Sequence, residues 1–225
     1  MRQRARSDEE KRERREAILD VALGMYEREP SFAAFTMAAL AEAAGLAKGT
    51  LYLYFRTKEE LFLALVERLF EGWFDEVDGR LDRARGSWTA ERAAEVLVDA
   101  VAGRRTLARL LSILGAIVEE NVEPEAARRY KARILERSAG TGAKLERRLP
   151  FLAPGRGARL LVHLHALVIG VWQLAEPSAV IREVMERPEM APARVDFERD
   201  LRTLLLAVLH GVEREAAAGG DIKSV

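Results

Sequence analysis

This 225-residue chain contains no run of alternating β-branched residues, and Ala, Leu, Glu and Arg dominate between its breaks. Those four are strong helix formers, whereas a half-buried strand would need such a run at its two-residue period. Only 7 prolines and 16 glycines interrupt the pattern. The expected fold class is therefore all-α. Hydrophobic residues make up 49% of the chain, enough for a sizeable core, and the 32% that are charged are too evenly mixed among them for a disordered polyelectrolyte. The 36 basic groups balance 36 acidic ones, so a nucleic-acid partner would need a local concentration of positive charge. The absence of cysteine excludes a disulfide scaffold, a thiolate metal site and a cysteine nucleophile, and implies a cytoplasmic setting. The basic start has no apolar run behind it and does not read as a secretory signal. The longest apolar stretch, 160–174, contains His163, His165 and Gln173 and is shorter than the roughly 20 residues that span a bilayer, so no membrane partner is expected.

Start and stop signals divide the chain into about nine helices. Ser7 with Glu10 forms a capping box for a first helix over 8–28, which Pro30 closes. Thr36 caps a second, with Phe35 and Leu40 placed as a hydrophobic staple, and Gly45 supplies the left-handed residue that ends it. A short third helix covers 48–55. Thr57 with Glu60 opens a fourth, with Phe62, Val66, Leu69, Trp73 and Val77 on one stripe. Further helices are expected over 89–101, 104–120, 124–148, 156–175 and 193–215, with an extra turn near 178–186. Gly140 and Gly142 would kink or split the helix over 124–148. This gives a helix-turn-helix domain over 1–56, a helical body over 57–215 and a flexible tail over 216–225.

The segment from Thr36 to Phe55 has two short amphipathic helices around a tight Gly-Leu-Ala turn, the layout in which a second helix enters a DNA major groove. At about 100° per residue, Leu51 and Phe55 share the inner side of that helix, while Gly49, Thr50 and Leu53 lie opposite. Tyr52 and Tyr54 occupy the flanks, within reach of phosphates. Between Ala43 and Lys58 there are three basic residues and no acid, and the first fifteen residues carry seven basic groups against four acidic ones. The capped start of the fourth helix, with Lys58 beside it, is a further phosphate anchor. An αα-hairpin within a helical core has the same spacing.

The string Thr36, Leu40-Ala41, Ala44-Gly45-Leu46, Gly49-Thr50-Leu51-Tyr52, Phe55, Lys58 and Leu61 resembles the DNA-binding unit of the TetR family of transcriptional regulators. The resemblance covers residues 12 to about 65. It implies a homodimeric repressor that leaves a palindromic operator on double-stranded DNA when an unidentified small-molecule effector binds, with no cofactor or metal. It makes Thr36, Tyr52, Tyr54 and Lys58 contacts to phosphates or groove wall, and places Lys48, Thr50 and Leu53 toward bases alongside Gly49. Two departures thin the direct readout. Ala47 stands where a Ser or Thr commonly caps the recognition helix, and Met37 and Ala38 replace polar residues. Part of the specificity would then come from DNA shape.

The family dimerises through its last two long helices. Carried over, that assigns Leu160, Leu164, Leu167, Gly170 and Val171 on one helix, and Leu201, Leu204, Leu205 and Val208 on the other, although the same apolar stripes fit an intramolecular core equally well. The resemblance also implies an effector pocket in the body. Shared helix faces nominate His165, Val168 and Trp172, then Ile113, Ile117 and Glu120, with Trp73 on the fourth helix, lining a site for a largely apolar ligand. A constitutive DNA-binding protein without a ligand differs only in this body. An all-α enzyme has little support: there are three histidines, no His-Glu-x-x-His or Gly-x-Ser-x-Gly pattern, and neither Gly155-Arg-Gly157 nor Gly142-Ala-Lys144 has phosphate-loop spacing.

Overall fold

The computed structural model describes residues 2–115 and 121–221, and every regular element within them is helical. In chain order these are α1 (Arg2–Arg28), α2 (Met37–Ala43), α3 (Lys48–Tyr52), α4 (Lys58–Arg83), α5 (Ala90–Ala102), α6 (Arg105–Ile113), α7 (Pro124–Arg148), α8 (Arg156–Ala175), α9 (Ala179–Met185) and α10 (Phe197–Asp221), with a 3-10 helix at Pro188–Ala193.

Several boundaries depart from the sequence pattern for local reasons. Helix α1 begins at Arg2, so Ser7 lies within it rather than at its start. Helix α7 runs unbroken through Gly140 and Gly142. Helix α10 starts at Phe197 rather than 193 because the 3-10 helix occupies Pro188–Ala193, and Asp196 and Asp200 then form the cap: Asp196 Oδ1 accepts the Arg199 amide at 2.8 Å and Asp200 Oδ2 accepts the Asp196 amide at 2.7 Å. The helix continues to Asp221, so 216–221, expected to be flexible tail, is helical.

The chain forms two compact units. The first comprises residues 1–68 and 114–130, the second 69–113 and 131–225. In the first, Phe62 of α4 is fully buried and receives the rings of Tyr26, Phe32 and Phe35 edge-on at centroid distances of 5.2, 4.8 and 5.0 Å. Such pairs add to the apolar area they bury. Arg68 Nη2 donates to Asp20 Oδ1 at 2.5 Å and ties α4 to α1.

In the second unit, α5 packs against α10, and α8 packs against both α6 and α10. Helix α8 is long and apolar enough to cross a membrane, with a mean hydropathy of 1.4; its Leu160, Leu161, Leu164, Val168, Val171 and Trp172 are buried in this unit. A polar ladder joins α4 to α7. Arg133 and Arg137 both donate to Glu71 at 2.6 Å, Arg137 to Asp75 at 2.8 Å, Thr141 to Asp78 at 2.7 Å and Lys144 to Asp82 at 2.6 Å. The acids recur at three- and four-residue intervals on α4 and their partners likewise on α7, so the two faces are in register along their length.

Candidate nucleic-acid interface

The local sequence builds the helix-turn-helix through hydrogen bonds that can be counted. Thr36 Oγ1 accepts the Ala39 amide at 3.2 Å and starts α2. Gly45, at φ +64°, ends it: its amide donates to Glu42 O at 3.0 Å and that of Leu46 to Ala41 O at 2.8 Å, the paired bonds of a Schellman motif. Helix α3 then starts at Lys48, with Ala47 at the N-cap offering no side-chain bond, and its hydrogen bonding continues one turn past Tyr52, with the Phe55 amide donating to Leu51 O at 3.1 Å.

This geometry sorts the residues of α3. Leu51 and Phe55 are sealed in the core of the first unit. Lys48 and Gly49 are exposed and Thr50 and Tyr54 are half-buried. Tyr52 is 40% exposed and Leu53 76%. Leu53, the C-cap of α3, thus stands in solvent on the side away from the sealed Leu51. Thr50, Leu53 and Tyr54 also line a cleft of about 910 Å³ whose other wall is α1, through Glu10, Lys11, Glu13, Arg14 and the apolar Ala17 and Ile18.

At the start of α4, Thr57 Oγ1 accepts the Glu60 amide at 3.0 Å, and Glu60 Oε2 accepts the Arg56 amide at 2.9 Å, one residue earlier than the reciprocal bond of a capping box. Lys58 is drawn inward. Its Nζ donates to Phe32 O at 2.8 Å and sits 4.1 Å from the centre of the Phe32 ring. An ammonium has three donors, so a phosphate role would share this group with the fold.

The residues assigned to a dimer divide sharply. Leu160, Leu164, Val171, Leu201 and Leu205 are sealed within one protomer. Within one protomer these five keep almost no exposed area to offer a second copy. Leu167 and Val208 are half-buried, and Gly170 and Leu204 are exposed. The outer face of α8 is instead Val162, Ala166, Gly170 and Leu174, one residue per turn, and that of α10 carries Leu204 and Ala207. The apolar pattern identified which helices carry stripes but not which stripe the protomer itself consumes.

The residues assigned to an effector separate into two clusters. Phe70 of α4 stacks on His165 of α8 at 5.9 Å and on Phe74 at 5.9 Å, and Trp73 meets Phe74 edge-on at 5.0 Å. Trp172, two turns further along α8, packs on Phe197 at 5.1 Å beneath the guanidinium groups of Arg105 and Arg109. Val168 is buried and Ile113 half-buried. Ile117 and Glu120 lie outside the described residues.

Residues 18–65 match the family model "Bacterial regulatory proteins, tetR family", and residues 67–216 match "Tetracyclin repressor-like, C-terminal domain". The chain belongs to the TetR family. Among curated relatives of this TetR-family regulator, the transcriptional repressor KstR of Mycolicibacterium smegmatis is 41% identical over 76 residues, 34% of this chain and 35% of that protein. The nucleoid occlusion factor SlmA of Haemophilus ducreyi is 38% identical over 58 residues, 26% of this chain and 29% of that protein. The matches thus span about a third of the length of these relatives. A TetR-family regulator from Syntrophomonas wolfei superimposes with a TM-score of 0.60 at 12% identity, covering 90% of this chain and 96% of that one. The fatty acid degradation regulator FadR of Bacillus halodurans does so with a TM-score of 0.50 at 17% identity, covering 85% and 97%. Both show the shared fold.

Proposed function

We propose that this TetR-family protein is a homodimeric repressor that holds a palindromic operator through α3 and releases it when a small, largely apolar effector binds the helical body. The observation that carries the DNA-binding half is the exposure of Leu53 opposite a sealed Leu51, with Tyr52 exposed on the flank. Lys48, Gly49 and Thr50 precede them on the same short helix, Tyr54 flanks it, and Thr36 stands exposed at the start of α2. A methyl-bearing face of Thr50 and Leu53 suits thymine methyl groups, and Lys48 suits a guanine edge.

One reading helix covers half an operator, so two copies are required, with half-sites one helical turn apart. The outer faces of α8 and α10 supply the surface: Leu167, Gly170, Leu204 and Val208, extended by Val162, Ala166, Leu174 and Ala207. Small residues at three of these places let backbones approach closely. Effector control requires only that the ligand bind one conformation better than the other. Trp73, Ile113, His165, Val168 and Trp172 remain the lining assigned to it.

Selection of duplexes from a random pool by the intact protein tests the DNA-binding half. The expected product is a palindrome whose half-site centres lie about 34–36 Å apart, bound by two chains. Enrichment of no sequence, or of a single half-site bound by one chain, overturns it. Release of the selected duplex by a molecule that also raises the melting temperature tests the effector half.

A further inference from the structure

We infer that the body grips its effector through the indole N–H of Trp73, and that the effector is an apolar molecule carrying an uncharged carbonyl-type oxygen. This rests on the effector reading above and adds the chemical class of the ligand.

Trp73 is only 4% exposed, and its Nε1 is the one buried side-chain nitrogen or oxygen among the described residues with no hydrogen-bond partner. A buried donor left unmatched loses its water without recompense, so it demands an explanation. Other polar groups in the same unit are matched. Thr141 donates to Asp78, and Glu76, one turn along from Trp73, is held by Arg80 and Arg104. A phenylalanine would keep an aromatic ring at this position and carry no donor to leave unmatched. The retained N–H is accounted for if the effector accepts from it.

The chemistry of the position then restricts that molecule. Indole nitrogen donates and cannot accept, so the ligand brings an acceptor, and neither a hydrocarbon nor a purely cationic group satisfies it. The surroundings are aromatic, with Phe74 edge-on to Trp73 and Phe70 stacked between Phe74 and His165. A carboxylate facing one neutral donor in such a place would remain an uncompensated buried charge. The guanidinium groups recorded near this stretch of α4 are already committed, Arg104 to Glu76 and Arg137 to Glu71 and Asp75. A ketone, ester, thioester or amide carbonyl fits what remains: an acceptor without charge on an apolar frame.

Acetophenone, ethylbenzene and benzoate form a probe set of similar size and shape that separates acceptor, no acceptor and charged acceptor. The protein has three tryptophans, so ¹⁵N–¹H spectra should show three indole signals, and Trp73→Phe identifies the one of interest. Acetophenone should move that signal downfield and bind about tenfold more tightly than ethylbenzene or benzoate, and Trp73→Phe should abolish the preference. Should the variant misfold, the shift in the wild-type protein decides.

Equal affinity for ethylbenzene, no binding of acetophenone at millimolar concentration, or a shift confined to Trp88 or Trp172 overturns the inference. So does a water bound at the Trp73 N–H that acetophenone leaves in place. The two readings fail separately. Engagement of Trp73 with no change in DNA affinity removes the effector reading and leaves this one, whereas DNA release by a ligand that never touches Trp73 does the reverse.

Discussion

Gly142 of α7 and Gly157 of α8 meet backbone to backbone. A Cβ on Gly142 would stand 2.8 Å from the carbonyl carbon of Gly157, and one on Gly157 would stand 2.6 Å from that of Gly142. Both obstructions are main chain and cannot rotate aside. Gly142→Ala is therefore expected to force the helices apart, costing about 1–3 kcal/mol as overpacking does. Gly140, two residues away, has nothing within 4 Å of where its Cβ would be. Gly140→Ala should stabilise α7 by about 0.5–1 kcal/mol. Urea unfolding of the two variants gives the comparison; equal midpoints would show that the contact does not hold the helices together.

Lys48 and Lys58 flank the same short helix and should behave differently. Lys48 is exposed, and Lys48→Ala should weaken DNA binding and lower the salt slope of log K by about 1 while leaving thermal stability alone. Lys58 is bound to Phe32, so Lys58→Ala should also reduce the melting temperature. Tyr52→Ala should likewise weaken binding and spare thermal stability, but leave the salt slope unchanged, because a phenol neutralises no phosphate. Salt-dependent binding and thermal denaturation on the three variants separate the roles, and a Lys58→Ala protein with unaltered melting would show its bond to Phe32 to be idle.

Two kinds of residue were legible in the sequence for different reasons. Thr36, Gly45, Thr57 and the bounds of α8 were readable because capping and left-handed turns are local chemistry, and the structure shows the hydrogen bonds those residues imply. Gly142 looks like a flaw in its own helix in the sequence because the neighbour that requires it, Gly157, is distant along the chain. The stripes of α8 and α10 marked Leu160 and Leu201 as apolar, but only packing distinguishes a side chain sealed by its own protomer from one left for a partner. The orphaned N–H of Trp73 has no sequence signal, because it depends on what is missing around it.

That distinction makes the dimer surface testable. Leu204 is 43% exposed, and Leu201, three residues earlier, is fully buried. Leu204→Glu and Ala166→Glu should shift the protein toward monomer while preserving helix content and melting of the monomeric fold. Leu201→Ala should lower stability by about 2–5 kcal/mol without selectively splitting a dimer. Sedimentation across a concentration series, paired with denaturation, reads both. A dimer that persists in both glutamate variants would move the interface elsewhere.

The cap of α10 carries a pH dependence whose sign follows from its geometry. The Arg199 guanidinium, followed by the Asp196 amide, holds the carboxyl of Asp200 below its ordinary value of 3.8. A carboxyl lower in the folded than in the unfolded chain binds fewer protons when folded. Its contribution is therefore present above pH 3.8 and disappears as the pH falls through the depressed folded value. Asp200→Asn removes the titrating group and keeps one acceptor for the Asp196 amide. The wild type should melt higher than Asp200→Asn near neutral pH, by a modest margin because the group is exposed, and the two curves should converge as the pH is lowered past 3.8. Added salt should shrink the gap at neutral pH, since the Arg199 attraction is screened there. A difference in melting that is constant across this acid range would assign the effect of the substitution to hydrogen-bond geometry rather than to charge.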